Sequence, residues 1–135
     1  SDQALDKVKE RLGDEAASIQ WRCQDISGPF EKNIPAIDIW IDRAVLHFLL
    51  EEGDIDGYFT NVRSVVKVGG HVMFAEFSLT GAPKCAGLEL HRYSIEELSE
   101  RLGPDFALID HFEHNYINPA GDPRPYIYAL FKRTA

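Results

Sequence analysis

Apolar residues change their spacing several times along the chain, and each change predicts an element. Leu5, Val8 and Leu12 share one helical face, with Ser1 or Asp2 placed to cap the start and Gly13 to stop the end. Ile19, Trp21 and Cys23 then alternate with polar residues in SIQWRCQD, the period of a strand with one buried face. After Pro35 the alternation returns through Ile37, Ile39 and Ile41 and predicts a second strand. RAVLHFLLEEGD reads as a short helix closed by Gly53. Ile55, Tyr58, Phe59, Val62 and Val66 follow at helical spacing, with Asp54 as cap and Gly57 a weakening of about 1 kcal/mol. Gly69-Gly70 marks a tight turn into HVMFAEFS, nearly continuous in apolar residues, as a strand covered on both faces must be.

Ser94 and Glu97 have the spacing of a capping box, and the helix they open stops at Gly103-Pro104. FALIDHFEHNYI and RPYIYALFKR are β-rich runs separated by NPAGDP, the signal of an antiparallel hairpin. Strand and helix in alternation, closed by a hairpin, predict an open α/β sheet. Its helix-linked strands are parallel and its last strand is antiparallel.

The chain has 135 residues, enough for one core, and 44% of them are hydrophobic. A net charge of -8 with scattered Lys and Arg argues against a nucleic-acid partner, which would need a basic face. Cys23 and Cys85 form no CxxC pair and read as reduced thiols of a cytoplasmic protein. No run approaches the length of a membrane span, so no membrane association is expected.

DIWIDRAVLHFLLEEGDIDGYFTNVRSVVKVGGHVMFAEF resembles the second half of the class I S-adenosylmethionine-dependent methyltransferases, above all small bacterial enzymes with a D-x-W-x-D-R-A-V-x-H-F-L segment. GAPKCAGLELHRYSIEELSERLG, with its Cys-x-Gly-Leu and Arg-Tyr pairs, is similar to the same subgroup. The resemblance implies a single, partial methyltransferase domain over residues 1–135. Its sheet would be Rossmann-like, mostly parallel with a C-terminal antiparallel hairpin, and would lack the first strands. The family's G-x-G-x-G turn and the acidic residue for the cofactor's ribose find no counterpart here, since Ser1 to Leu5 align just after that acidic position. Those motifs precede Ser1 in a longer protein, or the chain is a natural truncation.

The resemblance makes S-adenosylmethionine the cofactor. Asp25 is expected to accept a hydrogen bond from the adenine amino group, with the Ile26 backbone beside it. Asp42, Arg43 and Ala44, at the carboxyl edge of the second predicted strand, are expected to touch the cofactor through their backbone. From the residues alone, Asp25 reads first as a loop cap, and Asp42-Arg43 reads equally as a local ion pair capping a helix. His47, four residues after Arg43, could orient the substrate or take a proton, but beside Leu46, Phe48 and Leu49 it also reads as a partly buried, satisfied histidine. Cys85, His91, Arg92 and Tyr93 lie where the family shapes its substrate pocket. No metal is expected: Cys85 and His91 have no second ligand pair, and His111 and His114 point to opposite faces of a strand.

Methyl transfer needs alignment and exclusion of water more than an acid–base set, so the catalytic residues and the acceptor are not legible. The acceptor is a small molecule or a protein group. The competing reading is a non-catalytic scaffold or regulatory module derived from a methyltransferase. Without the first strands, IDIWID would carry a bare edge. The chain is therefore expected to form a homo-oligomer or to associate with a missing N-terminal segment.

Overall fold

The computed structural model describes residues 1–31, 34–85 and 87–135. Helix α1 (Asp2–Leu12) is capped by the Ser1 hydroxyl, which accepts from the Ala4 amide at 3.3 Å, and it ends at Gly13 with φ 58°. None of its residues is buried. Leu5, Val8 and Leu12 are half-buried at most, so the apolar face of α1 has no sheet beneath it.

The strand expected over SIQWRC does not form: residues 19–25 pair with no strand among those described. A strand is held by a neighbour's backbone, and the alternation of Ile19, Trp21 and Cys23 finds none. Trp21 turns back instead, donating its indole N–H to the Ala16 carbonyl at 3.0 Å under the Lys9 ammonium.

The main sheet contains β1 (Ile37–Arg43), β2 (Val66–Phe77), β5 (Phe106–Ile117) and β6 (Pro123–Arg133), in the order β1-β2-β6-β5. β3 (Lys84–Cys85) and β4 (Leu88–Glu89) form a separate small hairpin; Ala86, inside the Cys-x-Gly-Leu segment, lies outside the described residues. β1 and β2 are parallel, and β6 is antiparallel to both β2 and β5. Three of the four strands therefore share one direction, and the expected hairpin closes the sheet. Helices α2 (Glu52–Val65) and α3 (Ile95–Leu102) cover one face. There Tyr58, Phe59, Val62, Leu98 and Leu102 pack on Val72, Phe74 and Phe131, all buried. Val72 and Phe74 alternate with residues on the other face, which is open: Ile39, Ile41 and Phe112 are 47%, 61% and 55% exposed.

Three local expectations are corrected. The segment from Arg43 to Gly53 is not a helix. Arg43 ends β1, Leu46–Phe48 make one 3-10 turn, and α2 begins at Glu52 with Gly53 and Asp54 inside its first turn. The turn stays short because its amides bond to side chains from the strand ends, as described below. Second, Gly69-Gly70 does not precede β2 but lies within it. The register jumps from Ile37↔Val66 to Ile39↔His71, and the extra residues bulge with Gly69 at φ 86°. A β-carbon on Gly70 would stand 2.8 Å from the Asp38 carbonyl, so this strand can approach β1 only as glycine. Third, the capping box forms by half. Ser94 accepts from the Glu97 amide at 3.2 Å, but the Glu97 carboxylate engages His91 and Arg101.

Candidate functional site

Helix α2 gathers the two segments on which the cofactor expectations fall. Gly57, Tyr58 and Asn61 occupy one side of it, since residues three or four apart are neighbours on a helix. The Asn61 amide donates to the carbonyls of Ile26 and Gly28, both at 2.8 Å. A β-carbon on Gly57 would lie 2.0 Å from the Ser27 carbonyl oxygen, so the loop reaches the helix only because residue 57 is glycine. Within this loop Asp25 is exposed and accepts from the Ser27 amide at 2.9 Å and its hydroxyl at 2.7 Å. Those bonds hold its carboxyl below the ordinary aspartate value. One turn away on α2, Tyr58 bonds Asp42 at the end of β1. Asp25 and Asp42 are thus brought to one helix by consecutive anchors.

Asp42 is buried, and its carboxylate organises the turn that follows. It accepts from the Val45 amide at 3.0 Å, the Leu46 amide at 3.1 Å and the Tyr58 hydroxyl, which in turn accepts from the Trp40 indole at 2.9 Å. Ala44, between them, has φ 62°, in the left-handed region that non-glycine residues seldom adopt. The ion pair that is the alternative reading of Asp42-Arg43 does not form. Successive strand residues face opposite sides, so Asp42 points into the core and Arg43 onto the open face.

Glu76 is the ionisable residue the sequence reading missed, although a lone acid inside HVMFAEFS was its signal. It is fully buried, and burial followed by the Asp42 charge raises its pKa well above the usual carboxylate range. Burial also raises Asp42. His47 is fully buried as well; its Nδ1 accepts from the Phe77 amide at 3.2 Å, and its own amide donates to Glu76 Oε2 at 3.3 Å. Burial lowers its pKa to about 4, so it is neutral, with the proton on Nε2. His47 Nε2, Glu76 Oε1 and the Tyr93 hydroxyl have no partner among the described residues. His47 does not share a face with Arg43, as a helix would have required. Arg43 is exposed on β1 while His47 sits inside the turn.

On the open face the Arg43 guanidinium lies 5.2 Å from the Tyr116 ring and 5.1 Å from the Tyr126 ring. The Tyr128 hydroxyl first, and then the Tyr126 and Tyr116 hydroxyls, favour its charged form. These tyrosines carry no sequence motif; only strand register brings them to Arg43, across Ala75 of β2. Cys85 packs in the same neighbourhood, within the cluster of Ala75, Phe77, Leu90 and Tyr126. The other expected pocket residues separate from it. The His91 ring bonds Glu97 at 2.7 Å, Arg92 donates to the Leu79 and Gly81 carbonyls, and Tyr93 is buried with its amide on the Phe77 carbonyl at 2.9 Å. Among the described residues no three His, Cys, Asp or Glu side chains converge as metal ligands, and no helix is long and apolar enough to cross a membrane.

Comparison with protein-family models gave no match, and comparison with curated proteins gave none. Solved structures do match. The N-methyltransferase NodS from Bradyrhizobium japonicum WM9, solved with S-adenosyl-L-homocysteine, superposes over 100% of this chain and 64% of its own, with 14% identity and a TM-score of 0.69. An S-adenosylmethionine-dependent methyltransferase from Clostridium acetobutylicum matches 100% of this chain and 73% of its own, at 14% identity and a TM-score of 0.70. The 1,6-didemethyltoxoflavin-N1-methyltransferase of Burkholderia thailandensis matches 97% and 56%, at 15% identity and a TM-score of 0.66. The chain thus spans between about half and three quarters of these relatives. The chain shares the Rossmann-like fold of these S-adenosylmethionine-dependent methyltransferases.

Proposed function

We propose that this chain is part of an S-adenosylmethionine-dependent methyltransferase and supplies the adenine side of its cofactor site together with the floor of its acceptor site. One observation carries the reading. Within a methyltransferase fold, the 25–28 loop and the turn after β1 are pinned to successive positions of one helix by Asn61 and Tyr58. The turn follows the carboxyl end of β1, the edge at which open α/β folds bind ligands.

The residues present fit the adenine end. Asp25 is exposed, ionised and fixed by Ser27, so its remaining acceptor capacity suits an exocyclic amine. Ile26, partly buried against the core, offers backbone and apolar surface beside it. Asp42 does not reach the cofactor with its side chain, which the turn consumes. Its part is to hold the backbone of Arg43 and Ala44 in one conformation, a positioning role. When bound, S-adenosylmethionine supplies a methyl group already activated on a sulfonium sulfur. The chain's own contribution is then orientation and shielding. Phe48, Cys85 and Tyr126 give the mouth apolar walls that exclude water, and neutral His47 stiffens the turn through Phe77.

Calorimetric titration of S-adenosyl-L-homocysteine into the purified chain tests the reading. Binding is expected to be weak, because the residues assigned here touch only the adenine end. Asp25→Ala is expected to weaken it about tenfold, the worth of one charge-assisted hydrogen bond. His47→Gln is expected to leave it within about twofold, less than the effect of any one bonded contact. Equal losses in the two variants would contradict the adenine contact.

A further inference from the structure

We propose that Arg43 and the tyrosines around it form a subsite for a carboxylate carried on a planar ring, so that the methyl acceptor is a small aromatic acid. The acceptor role rests on the methyltransferase reading; the subsite itself rests on geometry. Arg43 is exposed at the end of β1, one residue before the strained Ala44. Its guanidinium makes no ion pair with an acid among the described residues, although acids exceed bases by eight in the chain. It is held instead by aromatic faces, Tyr116 at 5.2 Å and Tyr126 at 5.1 Å. The Tyr128 hydroxyl takes one guanidinium donor; the rings restrain the group without using the others, which stay available to a carboxylate.

A place for the ring lies beside it. Phe112 stacks on Tyr128 with centroids 4.9 Å apart and planes within 8°, yet is 55% exposed. The two border a mostly apolar hollow of about 180 Å³, floored by Met73 and Leu130. Asp110 closes the end of that hollow away from Arg43, since it pairs with Leu130 while Phe112 pairs with Tyr128. An anionic ligand is therefore repelled at one end and attracted at the other. Its ring lies over Tyr128 and its carboxylate on Arg43, an orientation that electrostatics alone selects.

Benzoate and its neutral isostere benzamide are the probes, titrated into the purified chain with the arginine side-chain and backbone amide signals followed by nuclear magnetic resonance. Benzoate is expected to shift Arg43 and the residues around Tyr128, and to bind at least tenfold more tightly than benzamide. Arg43→Gln, at an exposed position, is expected to fold normally and remove that preference, while Arg43→Lys restores part of it. Equal binding of the two probes, binding of neither, or an unchanged preference in Arg43→Gln would overturn the subsite. Titration of S-adenosyl-L-homocysteine in the same samples separates the two claims. Its binding without benzoate preference sinks only the subsite. Benzoate preference without its binding sinks the methyltransferase reading, and with it the acceptor role, while the anion subsite stands.

Discussion

Replacing Asp42 with alanine is expected to lower the unfolding free energy by about 3–5 kcal/mol, the largest effect of any single substitution considered. The loss comes from the donors left behind rather than from the carboxylate itself. The Val45 amide, the Leu46 amide and the Tyr58 hydroxyl all donate to it. The last two are buried, where an unsatisfied donor costs about 1–3 kcal/mol, and the part-buried Val45 amide adds less. Relief of the charge that opposes Glu76 offsets part of this. The two buried orphaned donors outweigh that relief. Asp42→Asn keeps an acceptor oxygen and is expected to recover a substantial part of the loss. Urea unfolding of the three proteins checks both statements. An Asp42→Ala variant as stable as the parent would show that the turn is not built on this carboxylate.

The second large effect is a change in the pH dependence of stability on replacing Glu76 with glutamine. Glu76 is neutral when buried and ionises when the chain unfolds, so unfolding releases a proton above pH 4.5. Its contribution is fully present below that value and is lost as pH rises toward the raised folded value, at up to about 1.4 kcal/mol per pH unit. His47 acts in the opposite sense. Its folded value is about 4 against 6.5 unfolded, so its contribution is full above 6.5 and is lost as pH falls through 4. Between pH 4.5 and 6.5 the two slopes oppose each other; above 6.5 the acids act alone. The parent is therefore expected to lose stability from pH 6.5 to 8.5. Glu76→Gln should flatten that decline to what Asp42 alone contributes and be the more stable protein at pH 8. A parallel decline in both proteins would contradict a neutral Glu76.

The features legible in the sequence are those fixed by nearby residues. The hairpin of β5 and β6, the buried strand β2, and the Ser94 and Gly103 ends of α3 depend on spacing, turn chemistry and caps. The SIQWRC strand failed because alternation states which face is apolar but not whether a partner strand is present. The helix expected from Arg43 to Gly53 failed because Asp42, local to the turn, and Glu76, from a distant strand, capture three successive amides. Asp42 and Asp25 could be singled out by position and resemblance, whereas Tyr58 and Glu76 reach Asp42 only through helix packing and strand register. Arg43 shows the limit most plainly. Its partners Tyr116 and Tyr126 lie more than seventy residues away, and a shift of one residue in β6 would turn Tyr126 to the other face.

Residue-resolved mapping of S-adenosyl-L-homocysteine binding tests the central claim most directly, by following the backbone amides of the labelled chain as the ligand is added. The account expects the shifting amides to form two groups, residues 25–28 and residues 42–46, with both responses needing about tenfold more ligand in Asp25→Ala. Shifts confined to the open face of β5 and β6, or no shift in either group at saturating ligand, would contradict it.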